Sequence, residues 1–271
     1  MTEASYRDRY EHLVFENRAH GVLVITMNRP EKRNAVNPRL HEELGWVWRD
    51  IDTDPEVSVA VITGAGTSFS SGGEAGTFDS DGLRSSQELD NTMADIAALV
   101  NEMIQCRKPI VSAINGLAMA SGLAVALAAD ISIAGESVKL IDGHLSGGMV
   151  AGDHATLLWP LYVSLAKARY YLLSGEAMTG READALGLVS MSVPDDEVLP
   201  RALTVAERVA TNPQFAVRWT KRALNAWVKQ QAPLFELSTA LQMLSVDRPD
   251  MVEAMAAFAE RRPPEFPSVQ P

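Results

Sequence analysis

The 271-residue chain has one cysteine, Cys106, which excludes internal disulfides and any multi-cysteine zinc or iron–sulfur centre. Its apolar, helix-like surroundings favour a buried thiol over a nucleophile. No His-x-x-x-His or His-Glu-x-x-His spacing occurs, so no metal site is expected. Basic residues are scarce: 24 Lys plus Arg face 35 Asp plus Glu, a formal net charge of −11. That balance opposes non-specific attraction to nucleic acid or anionic lipid, and neither nucleic acid nor a membrane is expected as a partner. Long apolar runs are missing as well. The longest stretch of small apolar residues, Leu117 to Ala129, falls short of the ~20 residues that span a bilayer, and MTEASYRDRY lacks the apolar core of a signal peptide. A cytoplasmic location is expected. Tandem repeats, low-complexity tracts and long charge blocks are absent, which excludes array folds. What is plentiful is apolar surface: 46% of residues are hydrophobic, enough for a buried core and against disorder.

Four β-branched runs of strand length, 21–27, 57–63, 109–114 and 130–134, are separated by helical patterns. Asn37 followed by Pro38 reads as a helix start. Beyond it Leu40, Leu44, Val47, Trp48 and Ile51 form one apolar stripe that predicts packing on a sheet. Met93, Ile96, Ala97, Val100 and Ile104 repeat the pattern. Residues 21–134 therefore predict an α/β unit. From Val198 to Phe258 the periodicity is helical, so the expected organisation is an α/β core over 1–197 that carries the active site and a helical region over 198–271. The Pro-rich end, RRPPEFPSVQP, reads as an extended tail. Trp46, Trp48, Met93 and Met103 read as core or interface residues.

Two Gly-rich segments directly follow strands: TGAGTSFSSGGEAG, 63–76, and NGLAMASGLAVALAAD, 115–130. Small residues let a ligand approach the backbone, and a helix start offers unpaired N–H groups. Spacing alone leaves two readings open, an anion-stabilising pair of amides or merely close packing. Neither segment fits a phosphate-binding loop or a dinucleotide fingerprint.

These segments carry a resemblance to the crotonase (enoyl-CoA hydratase/isomerase) superfamily over nearly the whole chain. MNRPEKRNAVN, 27–37, is similar to the family's Asn-Arg-Pro segment beside the coenzyme A site. FSSGGEAG, 69–76, is similar to its Phe-Ser-Ala-Gly-Ala-Asp segment, KPIVSAINGLAMASGLAVALAADISIA, 108–134, to its Lys-Pro-Val-Ile-Ala-Ala-Val-Asn-Gly segment, and FAERRPPEF, 258–266, to its C-terminal signature. The resemblance implies a spiral of ββα turns and a C-terminal helical region that assembles homotrimers, often paired into hexamers. It also implies that the backbone amides of Gly73 and Ser121 form an oxyanion hole for a thioester, with Ser121 standing where the family often has glycine. Lys32, Arg33, Ala35, Ser71, Gly72, Met119 and Ala120 are implied to line the acyl-CoA site. No tightly bound cofactor is implied, and coenzyme A is expected as part of the substrate.

The chain departs from the family where hydratases carry two glutamates. The first aligns with Ala124 and the second with His144, and alanine cannot move a proton, so a two-carboxylate hydration mechanism cannot operate unchanged. His144 and Asp153 share a Gly-rich segment, IDGHLSGGMVAGDHATLLWP, that can fold both into one pocket. A carboxylate orients an imidazole and stabilises its protonated form, giving a base effective near neutral pH. The alternative is that His144 is a satisfied loop histidine and Asp153 caps the helix beginning near His154. The pair also resembles that of 6-oxocamphor hydrolase-type β-diketone hydrolases, crotonase relatives that break a carbon–carbon bond by retro-Claisen chemistry. His154 is a second-tier candidate, expected to point elsewhere from a helix start; Asp142 and Glu74 are further candidate pocket carboxylates, Glu74 being expected to hold its turn, and His12, His20 and His41 carry no signal. Three readings follow: an acyl-CoA hydratase/isomerase-like enzyme with a His144–Asp153 dyad, a C–C hydrolase of β-diketones, and an acyl-CoA-binding protein that has lost catalysis.

Overall fold

The computed structural model describes residues 5–74 and 85–269. The four strand-like runs become β2 (Val22–Met27), β3 (Val59–Gly64), β5 (Ile110–Ile114) and β7 (Ile131–Gly135). They lie parallel at the centre of a six-stranded sheet ordered β1-β2-β3-β5-β7-β10. At its edges β1 (Leu13–Asn17) pairs antiparallel with β2, and β10 (Met191–Val193) pairs parallel with β7. Every residue of β3 is buried, as expected of a parallel sheet covered on both faces. The period-2 alternation sorts the side chains. Leu23, Ile25, Ala60 and Ile62 join the larger core with the apolar stripe of α1 (Pro38–Thr53), while Val22, Val24, Val59 and Val61 turn to the opposite side.

Helix α1 begins as the sequence predicts. Asn37 Oδ1 accepts from Leu40 N at 2.8 Å, Pro38 opens the helix, and Leu40, Leu44, Val47, Trp48 and Ile51 are fully buried. In α2 (Ser86–Gln105) the stripe divides. Val100 and Ile104 enter the main core with Leu99 and Met103, whereas Met93 and Ile96 pack on a small cluster of Met243, Val246 and Met251. Of the two tryptophans, Trp48 is core, whereas the Trp46 indole is exposed on the single chain, which leaves it the interface reading.

A second sheet went unread in the sequence because its strands are short. It comprises β4 (Ser68–Ser70), β6 (Leu117–Met119) and β8 (Lys139–Ile141), parallel to one another, with β9 (Met178–Thr179) antiparallel on β8. The chain thus runs β3–β4–α2, then β5–β6–α3 (Ser121–Ala128), then β7–β8, placing one strand of each turn in each sheet. This is the ββα spiral the resemblance implies. The preceding turn, β2 to α1, contributes a single parallel bridge, Val36 to Gly73, to the second sheet.

After β8 come α4 (Ala155–Tyr162), α5 (Leu165–Ser174) and α6 (Gly180–Leu186), then α7 (Val198–Ala210), α8 (Gln214–Lys229), α9 (Ala232–Ser245) and α10 (Pro249–Glu260). Helix follows helix from α7 at Val198 onward. Val198, Ala202 and Ala206 of α7 cover the free face of the main sheet, so α7 belongs to the core and the outlying helices begin at α8. Buried Lys221 pins α8 down through Asp130 Oδ2 at 2.7 Å and the carbonyl of Lys108 at 2.9 Å. The Pro-rich end is tied back rather than extended: Arg262 pairs with Glu253, and Ser268 N donates to Asp250 at 3.0 Å. Among the described residues no helix is long and apolar enough to cross a membrane.

The spiral turns touch through backbone. A Cβ on Gly122, in the first turn of α3, would lie 2.5 Å from Ser70 Cβ and 2.8 Å from Ser70 O. Gly122→Ala is therefore expected to destabilise the protein by about 1–3 kcal/mol through overpacking, although Gly-to-Ala exchange in a helix otherwise stabilises it by up to about 1 kcal/mol. Urea unfolding of the two proteins measures the sign.

Candidate active site

Three neighbouring parallel strands, β4, β6 and β8, end on the same edge, the position where parallel α/β sheets present loops to ligands. Ser71–Gly73 follow β4, Ala120 and Ser121 follow β6, and Asp142–His144 follow β8. A Cβ on Gly72, whose φ is +83°, would lie 2.9 Å from Met119 O and 3.0 Å from Ala120 Cβ. Ala120 N donates to Ile141 O at 3.1 Å. A Cβ on Gly143 would lie 2.8 Å from Met119 Cε. The three turns are thus packed directly on one another, and four of the residues implied as substrate-lining, Ser71, Gly72, Met119 and Ala120, form the seam.

The bridge between Val36 and Gly73 turns the Gly73 amide away from Val36. Val36 N donates to Gly72 O at 2.7 Å and Glu74 N donates to Val36 O at 3.0 Å, which leaves Gly73 N–H with no acceptor among the described residues. Ser121 is the first residue of α3, so its N–H is one of the unpaired donors of a helix start. Helical dihedrals suit any L-residue, which explains why serine fits where the family often has glycine. The strain sits one residue earlier, where Ala120 has φ 46° and ψ −122°, a conformation rare outside glycine that costs of order 1–3 kcal/mol. Each exposed donor therefore follows a positive-φ residue, Gly72 or Ala120. Two such N–H groups can hold an oxygen that gains negative charge, and in acyl-transfer enzymes one such donor is worth about 3–4 kcal/mol. Ser121 Oγ is buried without a partner.

Beyond the third turn lies a buried polar cluster. His144 Nδ1 is 3.1 Å from both carboxylate oxygens of Asp142, and its Nε2 is 3.4 Å from Asp153 Oδ2. Asp153 Oδ1 accepts from His154 Nδ1 at 2.6 Å and from His154 N. All four residues are buried. Burial alone pushes His144 down, but Asp153 and Asp142 outweigh it, and the imidazole is raised well above its ordinary value. Burial likewise pushes Asp153 up, yet His144 and His154 hold its carboxyl well below the usual range.

These contacts bear on three readings of the sequence. A carboxylate at each ring nitrogen favours the protonated form of His144. His154 turns back onto Asp153 instead of away, because with φ −107° and ψ −25° it precedes α4 and does not follow the helix's rotation. Asp153 does not cap α4, whose N-cap, His154, makes no side-chain cap bond. His41 of α1 also bears on the cluster: burial lowers its pKa against the pull of Asp95 and Asp153.

The remaining implied residues form the rim. Arg33 O accepts from Ser71 N at 3.0 Å, and Ala35 O accepts from the Arg29 guanidinium. Arg29 also bonds Glu74 Oε2 at 2.8 Å, and this contact, with Lys32 3.6 Å from Oε1, holds the Glu74 carboxyl below its usual value. Glu74 thus braces the Gly73 turn, as expected, through Arg29, which sequence reasoning did not single out. Lys32 and Arg33 are exposed beside that turn. Ala75 and Gly76 of the FSSGGEAG segment lie outside the described residues. Ala124 is buried. Among the described residues no group of three or more His, Cys, Asp or Glu is placed to hold a metal ion.

Asp153→Asn removes one partner of a buried pair and is expected to destabilise the protein by about 3–5 kcal/mol at neutral pH. Because the folded pKa of Asp153 is depressed, its contribution is present above the unfolded carboxylate value and is lost as pH falls through the folded one. The His144 contribution is complete below the unfolded imidazole value and is lost only as pH rises through the raised folded value. Denaturant unfolding across pH should therefore show the gap between wild type and Asp153→Asn closing toward acid; a gap independent of pH would contradict the charge assignment.

Comparison with known proteins agrees with this architecture. The family model for enoyl-CoA hydratase/isomerase matches residues 17–269. An (E)-benzylidenesuccinyl-CoA hydratase of Thauera aromatica is 34% identical over 254 residues, covering 90% of this chain and 95% of the relative. A crystal structure of an enoyl-CoA hydratase/isomerase from Mycobacterium paratuberculosis superposes with a TM-score of 0.84 at 31% identity, covering 90% of this chain and 97% of that one. A β-diketone hydrolase from the cyanobacterium Anabaena, bound to (S)-3-oxocyclohexyl acetic acid, superposes with a TM-score of 0.82 at 26% identity, covering 91% and 98%. The chain belongs to the enoyl-CoA hydratase/isomerase family of the crotonase superfamily.

Proposed function

We propose that this protein is a crotonase-type enzyme acting on an acyl-CoA thioester, with Gly73 and Ser121 as the donors to the thioester oxygen and His144, oriented by Asp153, as a proton donor. The observation that carries the reading is the seam between the turns after β4 and β6, which puts two amides without described acceptors on one edge of the sheet. The enolate forms as a C–H proton of the acyl chain passes to a basic group of the buried cluster and the electron pair of that bond moves toward the oxygen facing those amides. The His144 Nε2–H then supplies a proton to carbon. Its 3.4 Å contact with Asp153 is longer than the 3.1 Å contacts of Nδ1 with Asp142, so Nε2 is the less tightly held end. In this reading Lys32 and Arg33, exposed beside the Gly73 turn, meet the phosphates of the coenzyme A moiety, which travels with the substrate. With alanine at position 124, proton shuttling within one acyl chain, as in double-bond isomerisation, suits the residues better than two-glutamate hydration.

The His144–Asp153 pair and the likeness to the Anabaena β-diketone hydrolase favour a second reading, hydrolytic cleavage of a C–C bond in a cyclic β-diketone. Turnover of 3-enoyl-CoA or 2-enoyl-CoA thioesters should fall by about 10²–10⁴ in His144→Gln with KM little changed. Cleavage of a cyclic 1,3-diketone without coenzyme A would favour the second reading instead. Saturable thioester binding without turnover, indifferent to His144→Ala, would identify a binding protein that has lost catalysis.

The outer helices support a homotrimer or a dimer of trimers, since Phe215, Trp219 and Trp227 of α8, Leu237 and Leu244 of α9 and Phe258 of α10 are exposed on the single chain. Sedimentation should give a mass of three or six chains for the wild type, and Trp219→Glu with Trp227→Glu should shift it toward smaller species. A wild-type monomer would contradict the assembly.

A further inference from the structure

We propose that His154 is a second proton-transfer group of this site, its Nε2 meeting the substrate while Asp153 holds its Nδ1. The inference rests on the reading given under Proposed function and adds a partner to His144. His154 is fully buried, yet its Nε2 has no hydrogen-bond partner, while its Nδ1 lies 2.6 Å from Asp153 Oδ1. A buried polar atom left unpaired costs about 1–3 kcal/mol, so an orphan inside a polar cluster points to an occupant that completes it.

An ionised carboxylate only accepts hydrogen bonds, so His154 Nδ1 carries a hydrogen toward Asp153, and Nε2, which meets no partner, is the nitrogen at which the proposed proton transfer takes place. His144 faces a carboxylate at both nitrogens and so carries hydrogen on both. Two imidazoles with ring centres 6.3 Å apart share Asp153, and in the proposed step they act in complementary roles, His154 accepting a proton and His144 giving one. A 1,3-shift of a double bond can use such a pair. His154 Nε2 takes a proton from one carbon, the C–H electron pair moves toward the thioester oxygen as the enolate forms, and His144 gives a proton to the other carbon. One proton leaves and one arrives; His154 ends as imidazolium and His144 as neutral imidazole, and solvent resets both after the product leaves. The two rings thereby do the work for which Ala124 offers no side chain.

The substitution His154→Asn separates this role from a structural one, because the asparagine amide nitrogen takes the place of Nδ1 and preserves the bond to Asp153 while Nε2 disappears. The probe is butyryl-CoA in D2O, with α-proton exchange followed by NMR and affinity by calorimetry. His154→Asn is expected to lower the exchange rate at least about 100-fold while affinity and urea midpoint stay near wild type. Exchange retained in His154→Asn overturns the inference and leaves the wider reading intact. A wild type that neither binds nor exchanges butyryl-CoA overturns that wider reading itself. Should His154→Asn fail to fold, ¹⁵N NMR of the wild-type histidine rings decides. An unprotonated Nε2 on His154 whose signal moves on butyryl-CoA binding supports the role, and a protonated or unmoved Nε2 overturns it.

Discussion

The whole site depends on backbone meeting backbone where the 70–73 turn lies against the 119–122 turn with no side chain between them. Gly72 and Gly122 make the approach possible, each leaving no room for a methyl group. The approach has a conformational cost, carried by Ala120 at φ 46° and offset by the surrounding packing. Fully buried neighbours on both sides, Phe69 before the first turn and Leu123 after the second, keep either turn from relaxing. The Gly73 and Ser121 amides are thus positioned by the core and not by the loops' own preferences, as the proposed donor role requires.

Charge burial is the second constraint. An isolated carboxylate or imidazolium in this interior would be expelled or neutralised. Here each charge is retained by a partner: Asp142 and Asp153 flank His144, and His154 satisfies the second oxygen of Asp153. Acids and imidazoles alternate through this cluster, Asp142 and His144 following β8 and Asp153 and His154 leading into α4. The chain shares its fold with enoyl-CoA hydratases/isomerases, and a shared fold does not fix the proton chemistry.

Much of this was legible in the sequence because it depends on local pattern. The β-branched runs and the five-residue stripe of α1 lie where period 2 and period 3.6 put them. Gly73, Ser121, His144 and Asp153 were reached through motif resemblance, and the structure brings His144 and Asp153 into contact. The rest was hidden for physical reasons. Strands of three residues such as β4, β6 and β8 are too short to show a period. The Asp142–His144 contact depends on a Gly143 turn at φ 81°. The direction of His154 was misjudged because a residue one position before a helix does not share its rotation. The buried Lys221–Asp130 pair joins positions 91 residues apart, beyond any local signal.

The central claim is that the Gly73 and Ser121 amides polarise one carbonyl oxygen. Isotope-edited infrared spectroscopy of butyryl-CoA labelled with ¹³C at the thioester carbonyl measures this directly. The account predicts that the carbonyl band of the bound ligand moves below its position in water, because two fixed donors bind the oxygen more strongly than solvent does. A bound ligand whose carbonyl band matches that in water, or lies above it, would contradict the account.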